Sequence, residues 1–418
     1  MNEAKTSSHD AHAPQTLSHV RVLDLSRVLA GPWASQLLAD LGADVIKIER
    51  PGTGDDTRAW GPPFLRDAEG HETAESAYFL STNRNKRSLT VDLTRVEGQR
   101  LIRELAAKSD VVIENFKHDG LVPYGLDYAS IRAVKPDIVY CSITGFGQTG
   151  PYADRAGYDF LIQAMGGLMS VTGRADTEPG AGPMKVGVAL TDVLTGLYAS
   201  NAILAALAYR DRTGTGQHID LALFDVQVAT LVNQAGNFLV GGKPPVRLGN
   251  RHPNIVPYQD FPTADGDMIV AVGNDGQFRR LCAVAGDETI ADDPRFATNR
   301  ERVRHRDLLI DRLVAITRTR KTRDWIEALE AAGVPCGPIN DLAGVFSDPQ
   351  AIARELRIDL PHPAGVAPGV ASPIRLSETP VQYRRAPPTL GQHTLEVLHD
   401  VLGYDDARIA ALVAHQVL

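Results

Sequence analysis

The chain has 418 residues, long enough that two domains are expected, and its 43% hydrophobic and 22% charged content is that of an ordinary globular protein. A formal net charge of −8 and a pI near 5.8 argue against nucleic acid or an anionic membrane as the main partner, although a local basic cluster could still hold small anionic substrates. Three widely separated cysteines, Cys141, Cys282 and Cys336, have no CxxC spacing; they suggest neither a disulfide framework nor a zinc site, and fit a reducing cytoplasm.

Residues 1–17 read as a disordered tail: MNEAKTSSHDAHAPQ lacks the apolar core of a secretion signal and the arginine-rich, acid-poor bias of a transit peptide. No uninterrupted apolar run approaches the roughly 18 residues that span a bilayer. From Val20, VRVLDL reads as a strand, SRVLAGP as a turn, WASQLLADLG as a helix and ADVIKIER as a second strand, a β-α-β unit with a parallel pair. The turn holds one glycine, Gly31, followed by Pro32, which suits a first helical position, so the dinucleotide fingerprint is missing. Glu49, ending the second strand, would nevertheless suit a ribose hydroxyl.

A basic turn with Arg84, Lys86 and Arg87 then leads into the strand SLTVDL; three cations in a loop usually form a solvated surface. The helix VEGQRLIRELAAKS, the strand DVVIENF and the strand PDIVYCSIT follow. The last runs into GFGQTG, Gly145 to Gly150, which matches G-x-G-x-x-G but meets a turn instead of a helix start. It therefore reads as a glycine-rich loop past a strand's carboxyl end, a common ligand-binding place in open α/β sheets.

DFLIQAMGGLMSVTG reads as an apolar helix, and after it Asp192 is the single charge between Val186 and Tyr209. A carboxylate there caps the helix or meets its positive dipole end, or else serves a chemical role. The stretch from Pro244 changes character, with prolines and a hairpin turn at Ala264–Asp267, and amphipathic helices follow around Gln277–Ala285 and His305–Arg318. These features predict a small α+β domain at 227–334, between a first large-domain part at 18–226 and its return at 335–418.

On VLDLSRVLAGP, LGADVIKIERPGTGD, NRNKRSLTVDL, DVVIENF, SITGFGQTGP, GVALTDVLTG, TGTGQHIDLALFD, IVPYQDF, GVPCGPIN and RAPPTLGQHT, the sequence resembles the class III (CaiB/BaiF) CoA-transferases, and within them the succinyl-CoA:glutarate CoA-transferases. The resemblance covers nearly the whole chain past the tail. It implies an α/β fold, with a Rossmann-like large domain built from the amino- and carboxyl-terminal parts, a smaller central domain, and an interlocked homodimer. It implies an enzyme whose substrates are an acyl-CoA, such as succinyl-CoA, and a free carboxylic acid, such as glutarate. No tightly bound cofactor, metal, nucleic acid or membrane is implied.

By the same resemblance Asp192, in LTDVLTG, is the nucleophile that forms an aspartyl acyl anhydride and then an aspartyl-CoA thioester. Leu29 and Ala30 border the thiol end of CoA and Arg50 its adenosine part; Val91, Asp92, Leu93 and Thr94 with Asn115, Phe116 and Lys117 hold the nucleotide and diphosphate; Thr144, Gly145 and Phe146 border the pantetheine. The formyl-CoA transferase pattern has glutamine, arginine and lysine where this chain has Leu29, Pro123 and Thr144. A dicarboxylate acceptor leaves one carboxylate for a cation, and Arg247, Arg251 and His252 in RLGNRHPN are candidates beside the reading of a surface turn. Three other readings compete. An α-methylacyl-CoA racemase needs a histidine where Tyr158 stands, a nicotinamide oxidoreductase would rest on GFGQTG and Glu49, and a non-catalytic CoA-binding protein would leave Asp192 without a role.

Overall fold

The computed structural model describes residues 15–418, so the expected tail lies outside them except for Gln15–Leu17. Gln15 and Leu17 are buried, and the Leu17 amide donates to the Leu41 carbonyl at 3.0 Å, which corrects the end of the expected tail. The described chain forms two compact units. The first comprises the chain up to Gly167, Val186–Val232 and Gln350–Leu418; the second comprises Leu168–Lys185 and Asn233–Pro349.

In the first unit the elements run β1 (Arg21–Asp24), α1 (Ala30–Asp40), β2 (Asp44–Glu49), β3 (Lys86–Thr90), α2 (Val96–Ala107), β4 (Val111–Glu114), α3 (Tyr128–Val134), β5 (Val139–Thr144), α4 (Asp159–Met165), α5 (Leu190–Thr213), β6 (Gln217–Ala222) and α6 (Leu223–Ala229). The six strands form one sheet in the order β3-β2-β1-β4-β5-β6, every pair parallel. The order reverses between β1 and β4, the switch point at whose carboxyl ends open α/β sheets bind ligands.

Strand residues alternate between two cores, as a period of two requires. Val22, Val45, Val111 and Val139 pack with Ala34 and Leu38 of α1 and with Ala199 and Ile203 of α5. On the opposite face Leu23, Ile46, Val112 and Tyr140 pack with α2 residues and with Val397, Leu398, Ile409 and Leu412 from the two C-terminal helices.

Helix α5 is long and apolar enough, by length and composition only, to cross a membrane. A stripe at Thr191, Thr195, Ala199 and Ile203, spaced by four residues, is buried, and this makes α5 a core helix of the first unit. Gly196 allows the close crossing with α1, since a Cβ there would lie 2.7 Å from the Ala30 carbonyl.

The second unit holds the expected hairpin, β7 (Tyr258–Pro262) and β8 (Asp267–Ala271), paired antiparallel. A third strand, β9 (Cys336–Pro338), adds antiparallel to β8. Trp325, Phe278, Leu281 and Leu329 from the helices Asp275–Ala285 and Thr322–Ala331 pack in its core.

The boundaries differ from the expected 227–334 for two reasons. Strand β9 ties the segment after 334 into the second unit. Residues 168–185 join it because the Gly249 amide bonds the Gly173 carbonyl at 3.0 Å and Arg251 pairs with Glu178 at 3.0 Å. The expected helix across 159–173 is correspondingly split, at Gly166 and Gly167, the latter with φ of 87°.

The basic turn is a second correction. Lys86 and Arg87 lie inside β3, and all three cations are buried and paired: Arg84 with Asp40 at 2.6 Å, Lys86 with Asp24 at 3.2 Å and Arg87 with Asp44 at 2.6 Å. A further enclosed pair, Lys47–Asp55 at 2.9 Å, has no solvent exposure on either side chain. Asp55→Ala would strand the Lys47 ammonium and is expected to cost about 3–5 kcal/mol, read as a lower denaturant midpoint. Asp55→Asn, which keeps an acceptor, is expected to cost less.

Candidate active site

The site is built at the switch point. Asn115, just past β4, fastens the loop after β1: its Oδ1 accepts from the Arg27 amide at 2.9 Å and its Nδ2 donates to the Arg27 carbonyl at 2.7 Å. Val28 follows with φ of 70°, a left-handed conformation that costs a β-branched residue free energy. Its amide is held by both Asp55 oxygens, at 3.2 and 3.3 Å. Leu29 then opens α1 with no side-chain cap, so the first N–H groups of the helix are left for an anion.

A cavity of about 540 Å³ lies here. Among its walls are Leu29, Ala30, Asn115, Phe116, Lys117, Thr144, Gly145 and Asp192, so the structure brings these eight expected residues together. A second cavity of about 350 Å³ gathers Arg50, Val91, Asp92, Leu93 and Thr94, and shares Arg27, Asp56 and Phe116 with the first. Phe146 lines neither cavity; it is buried, with its ring 5.5 Å from Tyr152 and 5.9 Å from Phe224.

Sequence reasoning did not single out Arg27, His118 or Arg155, although each adds a basic side chain to the wall. The signal available was their position in the loops after β1, β4 and β5. Glu49 is not free for a ribose: Arg58 grips both of its oxygens, at 2.7 and 2.8 Å, and the Ser88 hydroxyl donates to it at 2.6 Å. GFGQTG is followed by turns and not by a helix, so no helix N-terminus meets it. Gly145 instead lies against the backbone of Gly157, where a Cβ on Gly145 would come within 2.6 Å of the Gly157 Cα.

Asp192 stands in the first turn of α5 but does not cap it; no side chain of the N-cap residue Ala189 does so either. Asp159 supplies the acceptor: its Oδ1 takes the Thr191 amide at 2.8 Å and the Asp192 amide at 3.4 Å. The Asp192 carboxyl is thus left to the cavity. Burial, and secondly the charge of Asp159, push its pKa up to about 7. Under the loop after β4, the buried Glu114 accepts from the Phe116 amide at 2.8 Å, and burial pushes it up to about 7 as well.

Arg247, Arg251 and His252 lie in the second unit. Arg247 pairs with Asp176, and Arg251 with Glu178 at 3.0 Å. The His252 ring sits 5.2 Å from Tyr258 and accepts from the Asn254 amide at 3.1 Å; burial and then Arg306 lower its pKa. The two arginines therefore already bind carboxylates within their own unit.

The profile of CoA-transferase family III matches residues 17–394. A succinate–glutarate CoA-transferase of Agrobacterium fabrum is 56% identical over 388 residues, covering 92% of this chain and 95% of that protein. A mouse succinyl-CoA:glutarate CoA-transferase is 45% identical, covering 98% and 92%. The crystal structure of a CaiB/BaiF family protein from Brucella suis aligns with a TM-score of 0.81 at 51% identity, over 93% of this chain and 100% of that one.

Since Gly145 and Gly157 touch backbone to backbone and both line the larger cavity, Gly145→Ala is expected to force the wall apart. Titration calorimetry with CoA should then give a Kd raised about tenfold or more, equivalent to about 1.4 kcal/mol.

Proposed function

The chain belongs to CoA-transferase family III, and on that premise we propose that it moves CoA from succinyl-CoA to a dicarboxylic acid such as glutarate, with Asp192 as covalent nucleophile. The observation that carries this is the Asp192 carboxyl itself. It faces a cavity with basic walls, and among the described residues no hydrogen bond or ion pair engages it. The substrates follow those named for the two transferases above.

An Asp192 oxygen attacks the thioester carbonyl, the C–S bond breaks, and CoA leaves as thiolate, giving a mixed anhydride. The thiolate then attacks the aspartyl carbonyl, expelling succinate and forming an aspartyl-CoA thioester. The acceptor carboxylate attacks that thioester carbonyl and releases the thiolate again; thiolate attack on the acceptor's acyl carbon completes acyl-CoA and frees Asp192. Each hard exchange is split into easier steps, and because a thioester replaces a thioester no tightly bound cofactor is required.

Arg27, Lys117 and Arg50 are the cations proposed for the CoA phosphates, with Leu29, Ala30, Thr144 and Gly145 along the acyl and pantetheine path and Val91–Thr94 with Asn115 and Phe116 around the nucleotide. Arg247 and Arg251, with His252 beside them, are proposed for the acceptor's second carboxylate, which would replace Asp176 or Glu178 as partner. A Rossmann-like large domain in an interlocked homodimer is part of the reading. It is supported by the strand order and by exposed apolar side chains such as Leu197 and Tyr198 on α5 and Leu239 and Val240 elsewhere. The three cysteines carry free thiols, which supports a cytoplasmic setting. A racemase is not favoured, since Tyr158 stands where its histidine belongs, nor is a nicotinamide enzyme, since Glu49 is occupied by Arg58.

Incubation with succinyl-CoA followed by mass spectrometry should reveal an acyl or CoA adduct on Asp192, absent in Asp192→Asn along with all transfer. A carboxyl titrating near 7 is protonated, and not nucleophilic, below that pH; turnover is therefore expected to rise with pH through about 7 and then level off. Arg251→Ala should raise KM for glutarate about 10- to 100-fold, the loss of a charge-assisted hydrogen bond, and leave a monocarboxylic acceptor unaffected. Unchanged KM values for succinate and glutarate would remove Arg251 from the site.

A further inference from the structure

We propose that Asp159 is the positioning residue for the nucleophile, holding the first turn of α5 so that the Asp192 carboxylate is presented to the cavity instead of being spent as a helix cap. The inference rests on Asp192 being the nucleophile. A helix leaves its first N–H groups without intrahelical acceptors, and a side chain at the N-cap ordinarily supplies one. Here the N-cap is Ala189, which has none to offer. The nearest acid within the helix, Asp192, would be the local substitute, and its oxygens would then point at the backbone.

Asp159 takes that task from outside the helix, across more than thirty residues of sequence. Its Oδ1 accepts the amides of Thr191 and Asp192, while its Oδ2 accepts from Gln163 Nε2 at 2.7 Å. Gln163, one turn further along α4, is fully buried and its Oε1 accepts the Val186 amide at 2.9 Å on the approach to α5. From the other side Thr191 Oγ1 donates to the buried Gln227 of α6 at 2.6 Å. Asp159 and Gln227, from two neighbouring helices, thus clamp the first turn while Gln163 holds its approach, and of the three only Asp159 touches the backbone of Asp192.

The clamp has an electrostatic consequence. Other groups near Asp192 are Tyr78, whose phenol is pushed up to about 12 by burial first and by Asp192 and Asp159 after it, and Tyr158 on the cavity wall. The same wall carries Arg27, Asp56, Lys117, His118 and Arg155. Of all these charges it is Asp159 that acts on the Asp192 carboxyl, raising its proton affinity beyond what burial does. Asp159 therefore fixes the nucleophile in place and makes it more basic.

The two effects separate in two variants. Asp159→Asn keeps an oxygen for the Thr191 amide but removes the charge; the rising limb of the pH–rate profile should move to lower pH, with succinyl-CoA KM nearly unchanged. Asp159→Ala removes the acceptor as well, and kcat should fall about 10²-fold, as for a displaced reacting group, again with little change in KM. Circular dichroism and the mass-spectrometric adduct on Asp192 are recorded for every protein. If the wild type acquires the adduct while both variants keep the wild-type kcat and the same pH limb, the role of Asp159 is overturned and the nucleophile stands. If the wild type acquires no adduct, the nucleophile itself is wrong and this inference falls with it. A variant unfolded by circular dichroism counts against positioning only if the folded asparagine variant also leaves the pH limb in place.

Discussion

The site hangs from the enclosed ion pair of Lys47 and Asp55. Lys47 points from the middle of β2, pairs with Asp55 at 2.9 Å and donates to the Ser26 carbonyl at 2.9 Å, with no solvent at either charged end. Burial disfavours both charges, yet the Lys47 charge and bond, with those from Thr57, hold Asp55 down to about 2, and Asp55, Asp24 and Glu49 hold Lys47 above its ordinary value. Both groups are therefore ionised around neutral pH. So fixed, Asp55 can grip the amide of Val28 and keep that residue left-handed, which a β-branched side chain would otherwise resist. That one backbone conformation decides where Leu29, Ala30 and the start of α1 stand.

Asp24, at the end of β1, plays the same part beside it. It bonds Ser26 and Ser35 and pairs with Lys86, whose ammonium also reaches the Pro32 carbonyl at 2.9 Å. Burial outweighs these partners at Lys86 and brings it down to about 8, so it is the soft point of the network. A chain of alternating charges thus replaces the glycine-rich turn that dinucleotide-binding sheets use at this place. Large basic side chains inside the sheet do the work of shaping the loop, and the cavity walls are left to other residues.

The alternating apolar strands, the hairpin at Ala264–Asp267 and the loop after β5 were legible from the sequence because each is written within a few neighbouring residues. The buried cations were not. Arg84, Lys86 and Arg87 look like a solvated turn, since Asp40, Asp24 and Asp44 stand more than forty residues upstream and no local period connects them. The join of 168–185 to the second unit was hidden for a related reason: composition does not change at Gly166 and Gly167, and the segment's partners lie near Gly249. Asp192 was visible as a lone charge, but its freedom from capping depends on Asp159, which no helix-start rule can supply from another helix.

At Asp192 three effects compete. The positive end of the α5 dipole favours the carboxylate, whereas burial and the Asp159 charge oppose it, and with a pKa near 7 the last two win. On the proposed pathway this matters beyond nucleophilic strength. Free acids such as succinate titrate near the ordinary carboxylate values of about 4, so in a mixed anhydride the Asp192 oxygen belongs to the more basic acid and is the poorer leaving group. Thiolate attack on the aspartyl carbonyl, expelling the weaker base, is then favoured over return to the donor, and the aspartyl-CoA thioester is reached readily. The closing step runs against the same gradient, because attack on the acceptor's carbonyl must expel aspartate. Groups that stabilise charge on Asp192 as it leaves, the α5 dipole among them, therefore contribute most at the end of the cycle.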